Sequence, residues 1–250
     1  MNELSEKLFS HIRLPAELDR LVEDPQQWIK FCQLPYEIKN KYHKETASAG
    51  NPNYVSRSTN DNCIGEYLHA SENRDNNSLF FNSEKNLFSK YSEIRELHDY
   101  VNTLQPLVEK TLVETATVIA KGIPTLSEIL HLKKYSVLTR FLHYLPTDET
   151  DILSQHYDRG MLSMHLYENA PGLEYLDKNM KWEQTTLETK NSLIFCGNQM
   201  EILSDGKLQK LWHRIKTPAV GFERYSIVSF LWSEHLPQQR GSKTNKPSYN

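Results

Sequence analysis

The sequence predicts an α+β, mainly β protein in which N-terminal helices buttress a β-rich body of sandwich or barrel type. Three observations predict this class. Apolar residues recur at helical spacing before residue 135, short apolar or alternating runs follow one another after it, and five of the nine glycines lie between positions 160 and 221. Regularly spaced short runs separated by turn residues are typical of strands, and glycine is typical of the turns that join them.

The first half is predicted to be mainly helical. Leu4, Leu8 and Ile12 have the spacing of a helix at the N-terminus. Residues 84–121 keep mostly i, i+3, i+4 apolar spacing, which is typical of a long helix or a kinked pair. Residues 53–70 place turn residues between two β-leaning runs, which predicts a β-hairpin between these helical regions.

The second half is predicted to consist of short strands, in the runs SVLTRFLHYL, MLSMHLYE, GLEYL, SLIFCG, LWHRI and RYSIVSFLW. Its glycines are expected in turns that often require a positive φ, and they are Gly160, Gly172, Gly197, Gly206 and Gly221. We expect one domain over residues 1–236, mainly helical with the hairpin over 1–134 and β-rich over 135–236. Residues 237–250 contain no aliphatic residue and are expected to form a flexible tail.

The composition excludes several function classes. The 250-residue chain has a net charge of −3 with acidic and basic residues interspersed, which does not indicate a nucleic-acid partner. No apolar run approaches the roughly 20 residues that span a bilayer. The glycines are too widely spaced for a Rossmann or P-loop motif. Three cysteines without CxxC spacing suit a reducing compartment, so we expect a cytoplasmic protein, for which a monomer is compatible with the sequence.

One histidine–aspartate spacing predicts a metal site. His156 and Asp158 are separated by one residue, and side chains at i and i+2 of an extended segment point to the same side. His213, in the run LWHRI, is the best candidate for a third ligand. Two histidines and one carboxylate on one face of a metal leave three open positions, which suits iron(II) and dioxygen.

A second pair of residues predicts a receptor for a carboxylate. Arg224 and Ser226 also have i, i+2 spacing, on a strand that could neighbour His213. A guanidinium fork beside a hydroxyl is well suited to bind a carboxylate. A metal with open positions next to this pair predicts an enzyme that brings a small acidic molecule to the metal.

These segments resemble the motifs of a known family. The patterns HTDxGxLTLL, GGLQV, NxGDxLExxTNGxxxSxxHRV and RxS are similar to residues 156–165, 171–175, 196–215 and 224–226. The family strand RLLHYP is similar to residues 140–146, RFLHYLP, with one residue inserted before the proline. From about residue 25 to 235 the chain resembles the isopenicillin N synthase-like branch of the iron(II)/2-oxoglutarate-dependent oxygenases.

The resemblance implies a double-stranded β-helix (jelly roll) as the β-rich core. It implies that iron(II) is bound by His156, Asp158 and His213. It also implies that Arg224 and Ser226 hold the distal carboxylate of the co-substrate 2-oxoglutarate, with the Tyr144 hydroxyl near the co-substrate or substrate. In such enzymes dioxygen decarboxylates 2-oxoglutarate to succinate, and a ferryl species then abstracts hydrogen from the substrate. Hydroxylation, desaturation and ring closure are the possible outcomes.

Five further residues are candidates for substrate contacts. Ser163 and His165 share parity on the strand after the metal pair, and they face the substrate if that side lines the barrel. The alternative for His165 is an outward-facing side chain, or one satisfied by a neighbour. Tyr54, Arg57 and Tyr67 lie on the predicted hairpin, which often covers the barrel mouth in the family; for Arg57 the alternative is ordinary exposed surface.

Three functions therefore stand against one another. The leading hypothesis is a 2-oxoglutarate-dependent oxygenase that hydroxylates a small metabolite, such as an amino acid or a natural-product intermediate. The second is an iron oxidase of the same fold that uses no 2-oxoglutarate and performs ring closure or desaturation. The third is a non-catalytic jelly-roll binding module.

Overall fold

The computed structural model describes residue 4 and residues 8–39, 54–59, 62–71, 90–146, 151–188, 190–216 and 221–236, so the predicted tail lies outside the described residues. The helices of this part are α1 (Ala16–Glu23), α2 (Gln26–Cys32), α3 (Tyr36–Lys39), α4 (Ser92–Ala120), α5 (Pro124–His131) and α6 (Asn198–Leu203). The strands are β1 (Phe9–Arg13), β2 (Tyr54–Thr59), β3 (Asn62–Ser71), β4 (Ser136–Tyr144), β5 (Asp151–His156), β6 (Leu162–Glu168), β7 (Leu173–Leu176), β8 (Trp182–Gln184), β9 (Asn191–Cys196), β10 (His213–Lys216) and β11 (Arg224–Trp232).

The strands form two antiparallel sheets. The larger has the order β1-β9-β6-β11-β4-β3-β2 and the smaller β5-β10-β7-β8. From β4 to β11 the chain alternates between the sheets, apart from the β7–β8 hairpin, which is the winding of a double-stranded β-helix. The six runs predicted as strands correspond to β4, β6, β7, β9, β10 and β11. Strands β5 and β8 were not predicted.

The outer face of the larger sheet packs against the helices. Helix α4 contributes Leu97, Leu104 and Val108 to a continuous apolar core, and β11 contributes Ile227 and Leu231. Among the described residues, no helix combines the length and the apolar character of a membrane span. Helices therefore cover this face of the larger sheet.

The inner face of the larger sheet meets the smaller sheet. Side chains from both sheets form a second, smaller apolar cluster, which consists of Leu8, Tyr144, Leu173, Leu193, Phe195, Leu211 and Ile215. Strand β11 contributes to both faces, because successive side chains of a strand point to opposite sides. Its Arg224 and Ser226 face inward, whereas Tyr225 and Ile227 pack outward.

The predicted N-terminal helix is wrong at residues 9–13. These residues form β1, which pairs antiparallel with β9 and places Phe9 opposite Phe195. The pairing satisfies backbone groups along one side of β9, and this tertiary requirement overrides the local helical spacing. The N-terminal segment therefore contributes an edge strand to the sheet that carries the inner face.

The prediction that turn glycines need a positive φ holds for two of the five. Gly206 and Gly221 have φ of +77° and +86°. At the other three, close packing is the requirement. At Gly160, for example, an added Cβ would lie 2.7 Å from the backbone oxygen of Leu231. Backbone segments around the site therefore approach more closely than a side chain would permit.

Candidate active site

Strands β5 and β10 bring the two predicted histidine ligands together. His156 is the last residue of β5 and His213 the first of β10, and the antiparallel register places them opposite each other with ring centroids 4.2 Å apart. Asp158 follows β5, and its Oδ1 lies 3.9 Å from Nε2 of His213. One potential ligand atom from each residue lies within 4.8 Å of the others. The three side chains can therefore hold a single metal ion.

The hydrogen bonds of the histidines leave one nitrogen of each ring for a metal. Nδ1 of His156 donates to the Ser154 carbonyl at 2.8 Å, and Nδ1 of His213 donates to the Leu211 carbonyl at 3.1 Å, because a carbonyl can only accept. Each Nε2 therefore carries the lone pair. Burial and the neighbouring His213 lower the pKa of His156 to about 4, so this ring is neutral at pH 7. Two imidazoles and a carboxylate fit iron(II).

The Asp158 carboxylate is oriented by Ser163. The buried hydroxyl of Ser163 donates to Oδ2 of Asp158 at 2.5 Å, which leaves Oδ1 on the side of His213. In the structure the proton of Ser163 is directed to the Asp158 carboxylate, and its predicted substrate contact stays a prediction. Ser163 is therefore a positioning residue, which fixes the direction in which Asp158 presents its free oxygen.

The segment that carries Asp158 is held by the start of helix α6. The amide of Asn198 donates to the Asp158 carbonyl at 2.8 Å, and the amide of Gln199 donates to the Gly160 carbonyl at 3.1 Å. An added Cβ on Gly197 would lie 2.3 Å from the Gly160 oxygen, so this approach requires glycine. Sequence reasoning predicted Gly197 only as a turn, although its place in the matched NxGDxLE motif was a usable signal.

The predicted carboxylate clamp lies on the inner face of the larger sheet. Arg224 is completely buried, and its Nη1 donates to the Ser226 hydroxyl at 3.3 Å. Tyr144 pairs with Arg224 across β4 and β11, and the guanidinium carbon lies 5.5 Å from the centroid of the tyrosine ring. Arg224, Ser226 and Tyr144 are thus brought together, as the resemblance implies.

The clamp already has a carboxylate partner within the chain. Nη2 of Arg224 donates to Oε2 of Glu168 at 2.8 Å, and Nε donates to the Ala170 carbonyl at 3.0 Å. Glu168 was not predicted, because strict alternation places it on the opposite face from His165. A β-bulge reverses the alternation: Val228 pairs with His165, but Ile227 pairs with Tyr167.

His165 is buried beside the clamp. Its Nε2 donates to the Tyr167 carbonyl at 3.1 Å and lies 3.9 Å from Oε2 of Glu168. Burial, followed by the positive charge of Arg224, lowers the pKa of His165 to about 3, so the ring is neutral at physiological pH. The side chain has a backbone partner, which agrees with the alternative that a neighbour satisfies it.

The hairpin candidates are described by their backbone alone. Strand β3 adds to β4, with Gly65 opposite Tyr144, and Arg57 on β2 pairs with Gly65. The side chains of Tyr54, Arg57 and Tyr67 lie outside the described part of the structure, so their substrate contacts stay predictions.

Comparison with known proteins agrees with this fold. Residues 135–232 match the model of the 2OG-Fe(II) oxygenase superfamily. JOX2 in complex with 2OG, Fe and JA has a TM-score of 0.73 and 17% identity over 95% of this chain and 71% of that one. Dioxygenase for auxin oxidation 1 of Arabidopsis thaliana, in a 2-oxoglutarate complex, has a TM-score of 0.69 and 20% identity over 93% of this chain and 87% of that one. Residues 135–232 are thus similar to the 2OG-Fe(II) oxygenase superfamily, and the predicted jelly-roll class is confirmed.

Curated relatives match over shorter regions. A 1-aminocyclopropane-1-carboxylate oxidase of Musa acuminata is 30% identical over 95 residues, which is 37% of this chain and 31% of the relative. The bi-functional coumaroyl CoA and feruloyl CoA ortho-hydroxylase Diox4 of Ruta graveolens is 24% identical over 195 residues, which is 74% of this chain and 52% of the relative. The chain thus spans about a third to a half of the length of these two relatives.

Proposed function

We propose that this protein is an iron(II)- and 2-oxoglutarate-dependent oxygenase that hydroxylates a small-molecule metabolite, such as an amino acid or a natural-product intermediate. The observation that carries the proposal is the convergence of His156, Asp158 and His213, whose potential ligand atoms lie within 4.8 Å of one another. Iron(II) bound there would supply the activation of dioxygen. The chain's own contribution is to hold the His156 imidazole neutral, orient one carboxylate oxygen and bind acidic groups at Arg224.

Metal binding and coupled turnover test this proposal. We expect His213→Ala to weaken iron(II) affinity, measured anaerobically by calorimetry, by more than about 100-fold, because one of three ligands is lost. Succinate release from 2-oxoglutarate should fall in parallel. His131→Ala, on the exposed end of helix α5, is the matched control and should change neither quantity. Full coupled turnover in His213→Ala would contradict the proposal.

A second candidate is an iron oxidase of the same fold that uses no 2-oxoglutarate and performs ring closure or desaturation. The Glu168 carboxylate on Arg224 favours it, because the clamp is partnered without a co-substrate. The likeness to a 1-aminocyclopropane-1-carboxylate oxidase of Musa acuminata supports the same candidate. Titration of the anaerobic iron(II) protein with 2-oxoglutarate separates the two: binding supports the first, and no binding supports the second.

We also propose that residues 1–236 form one domain of a cytoplasmic protein whose partner is its small-molecule substrate. The outer core supports a single domain, because it joins residues from Leu14 to Leu231. The free, buried thiol of Cys196 supports a reducing compartment. Limited proteolysis would test whether residues 1–236 form one domain. Cell fractionation would test the cytoplasmic location, and sedimentation would test whether the protein is a monomer.

A further inference from the structure

We propose that Glu168 is an internal competitor for the carboxylate clamp, and that its side chain must leave Arg224 before a dicarboxylate co-substrate can bind there. The inference rests on the proposed function for the identity of the co-substrate. It goes further, because it names a residue of this chain that sets how tightly a distal carboxylate is held.

The first support is the set of partners around the guanidinium. Arg224 donates to the Glu168 carboxylate, the Ser226 hydroxyl and the Ala170 carbonyl, through Nη2, Nη1 and Nε respectively. Arg224 is 0% exposed and the Glu168 side chain 6%. A buried arginine needs a counter-charge, and Glu168 provides it with the same chemical group that a 2-oxo diacid would present.

The second support is that Arg224 itself is fixed. An added Cβ on Gly172 would lie 2.7 Å from Nε of Arg224, so the arginine chain lies directly against this backbone. The hydrogen bond to the Ala170 carbonyl holds the same nitrogen. Glu168, by contrast, is the last residue of β6 and follows a bulge. The glutamate is therefore the member of the pair that moves.

The third support is that Glu168 has another partner. Its Oε1 accepts the amide of Leu187 at 3.3 Å, while Oε2 binds Arg224. A rotation about the Leu187 contact releases the guanidinium without leaving the glutamate unpaired. If both carboxylates stayed on Arg224, one positive charge would face two negative ones in a buried site, which is unfavourable.

Ligand affinity tests the inference directly. Anaerobic iron(II) protein is titrated calorimetrically with 2-oxoglutarate, and we expect Glu168→Gln to bind it at least about tenfold more tightly than the wild type. Pyruvate, a 2-oxo acid without a distal carboxylate, should bind both proteins equally. Glu174→Gln is the matched control, because Glu174 forms an ion pair with Arg214 at 2.6 Å on the smaller sheet. The affinity of this variant for 2-oxoglutarate should equal that of the wild type. Glu168→Gln binding 2-oxoglutarate no more tightly than the wild type would overturn the inference.

Thermal unfolding of the metal-free protein gives a readout that does not depend on iron. Glu168→Gln leaves Arg224 without its counter-charge, so its unfolding midpoint should fall. Glutarate carries two carboxylates but no 2-oxo group. It should raise the unfolding midpoint of Glu168→Gln by more than it raises that of the wild type or of Glu174→Gln. Equal glutarate shifts in all three proteins would contradict competition at the clamp. Absence of iron(II) binding in every protein would refute the proposed function and leave this second measurement to decide the inference.

Discussion

The two faces of the larger sheet are built from the same strands but carry different kinds of side chain. On the outer face Phe141 and Ile227 pack against helices in an apolar core. On the inner face Ser163, Arg224 and Ser226 are equally buried, but they are polar and bonded to one another or to site residues. Alternation along the strands, apart from the bulge in β6, therefore places the polar residues of the candidate site on the inner face and the main apolar core on the outer face.

This separation implies that the two faces respond differently to substitution. A change on the outer face should alter the free energy of unfolding and leave ligand affinity unchanged. A change on the inner face should alter metal or co-substrate affinity more than stability. The following experiments test the separation, from the largest expected effect to the smallest.

The largest effect is expected at Phe141. Its buried ring contacts Trp28 and Tyr100, with ring centroids 5.9 Å and 6.1 Å away. Phe141→Ala should lower the free energy of unfolding by about 3–5 kcal/mol, because a cavity replaces the ring. Denaturant titration measures this change. Iron(II) affinity of the folded variant should stay within about twofold of the wild type, and a larger loss would mean that the two faces are coupled.

A matched pair of serines gives an intermediate effect. Ser163→Ala removes the donor to Asp158 on the inner face and should weaken iron(II) affinity by about 10–100-fold. Ser229→Ala removes the hydroxyl that bonds to Thr139 on the outer face and should cost about 1 kcal/mol of stability, with unchanged affinity. Anaerobic calorimetry and urea titration measure both. Equal affinities in the two variants would refute the positioning role of Ser163.

The smallest effect is a pH dependence that originates on the inner face. The pKa of His165 is about 3 in the folded protein and about 6.5 when the chain is unfolded. Between about pH 6.5 and pH 3 the unfolded chain binds a proton that the folded protein does not, so stability falls as pH falls, by roughly 1 kcal/mol per pH unit. Metal-free His165→Asn should lose less stability than the wild type between pH 7.5 and 5.5. Equal losses would show that His165 is not held neutral by the fold.

Much of the site was predictable because its pieces are local. His156 with Asp158, and Arg224 with Ser226, each lie two residues apart, and an extended chain places such side chains on one side. The residue types then indicate a candidate metal triad and a candidate carboxylate receptor. The alternating runs likewise predicted six of the strands, since a half-buried strand has a period of two.

What remained unpredicted depends on contacts between distant segments. Residues 9–13 become a strand because β9 offers them a partner. The contact of Gly197 with Gly160 depends on how α6 docks on the metal-binding segment.

The sequence by itself determined which groups are available for chemistry and that they lie on or directly beside strands, because spacing and residue type are local properties. The tertiary structure alone decided that His213 lies opposite His156, because strand register depends on pairing across the fold. It also decided that Glu168 reaches Arg224, because a single bulge shifts the side chains at the end of β6 to the opposite face of the sheet.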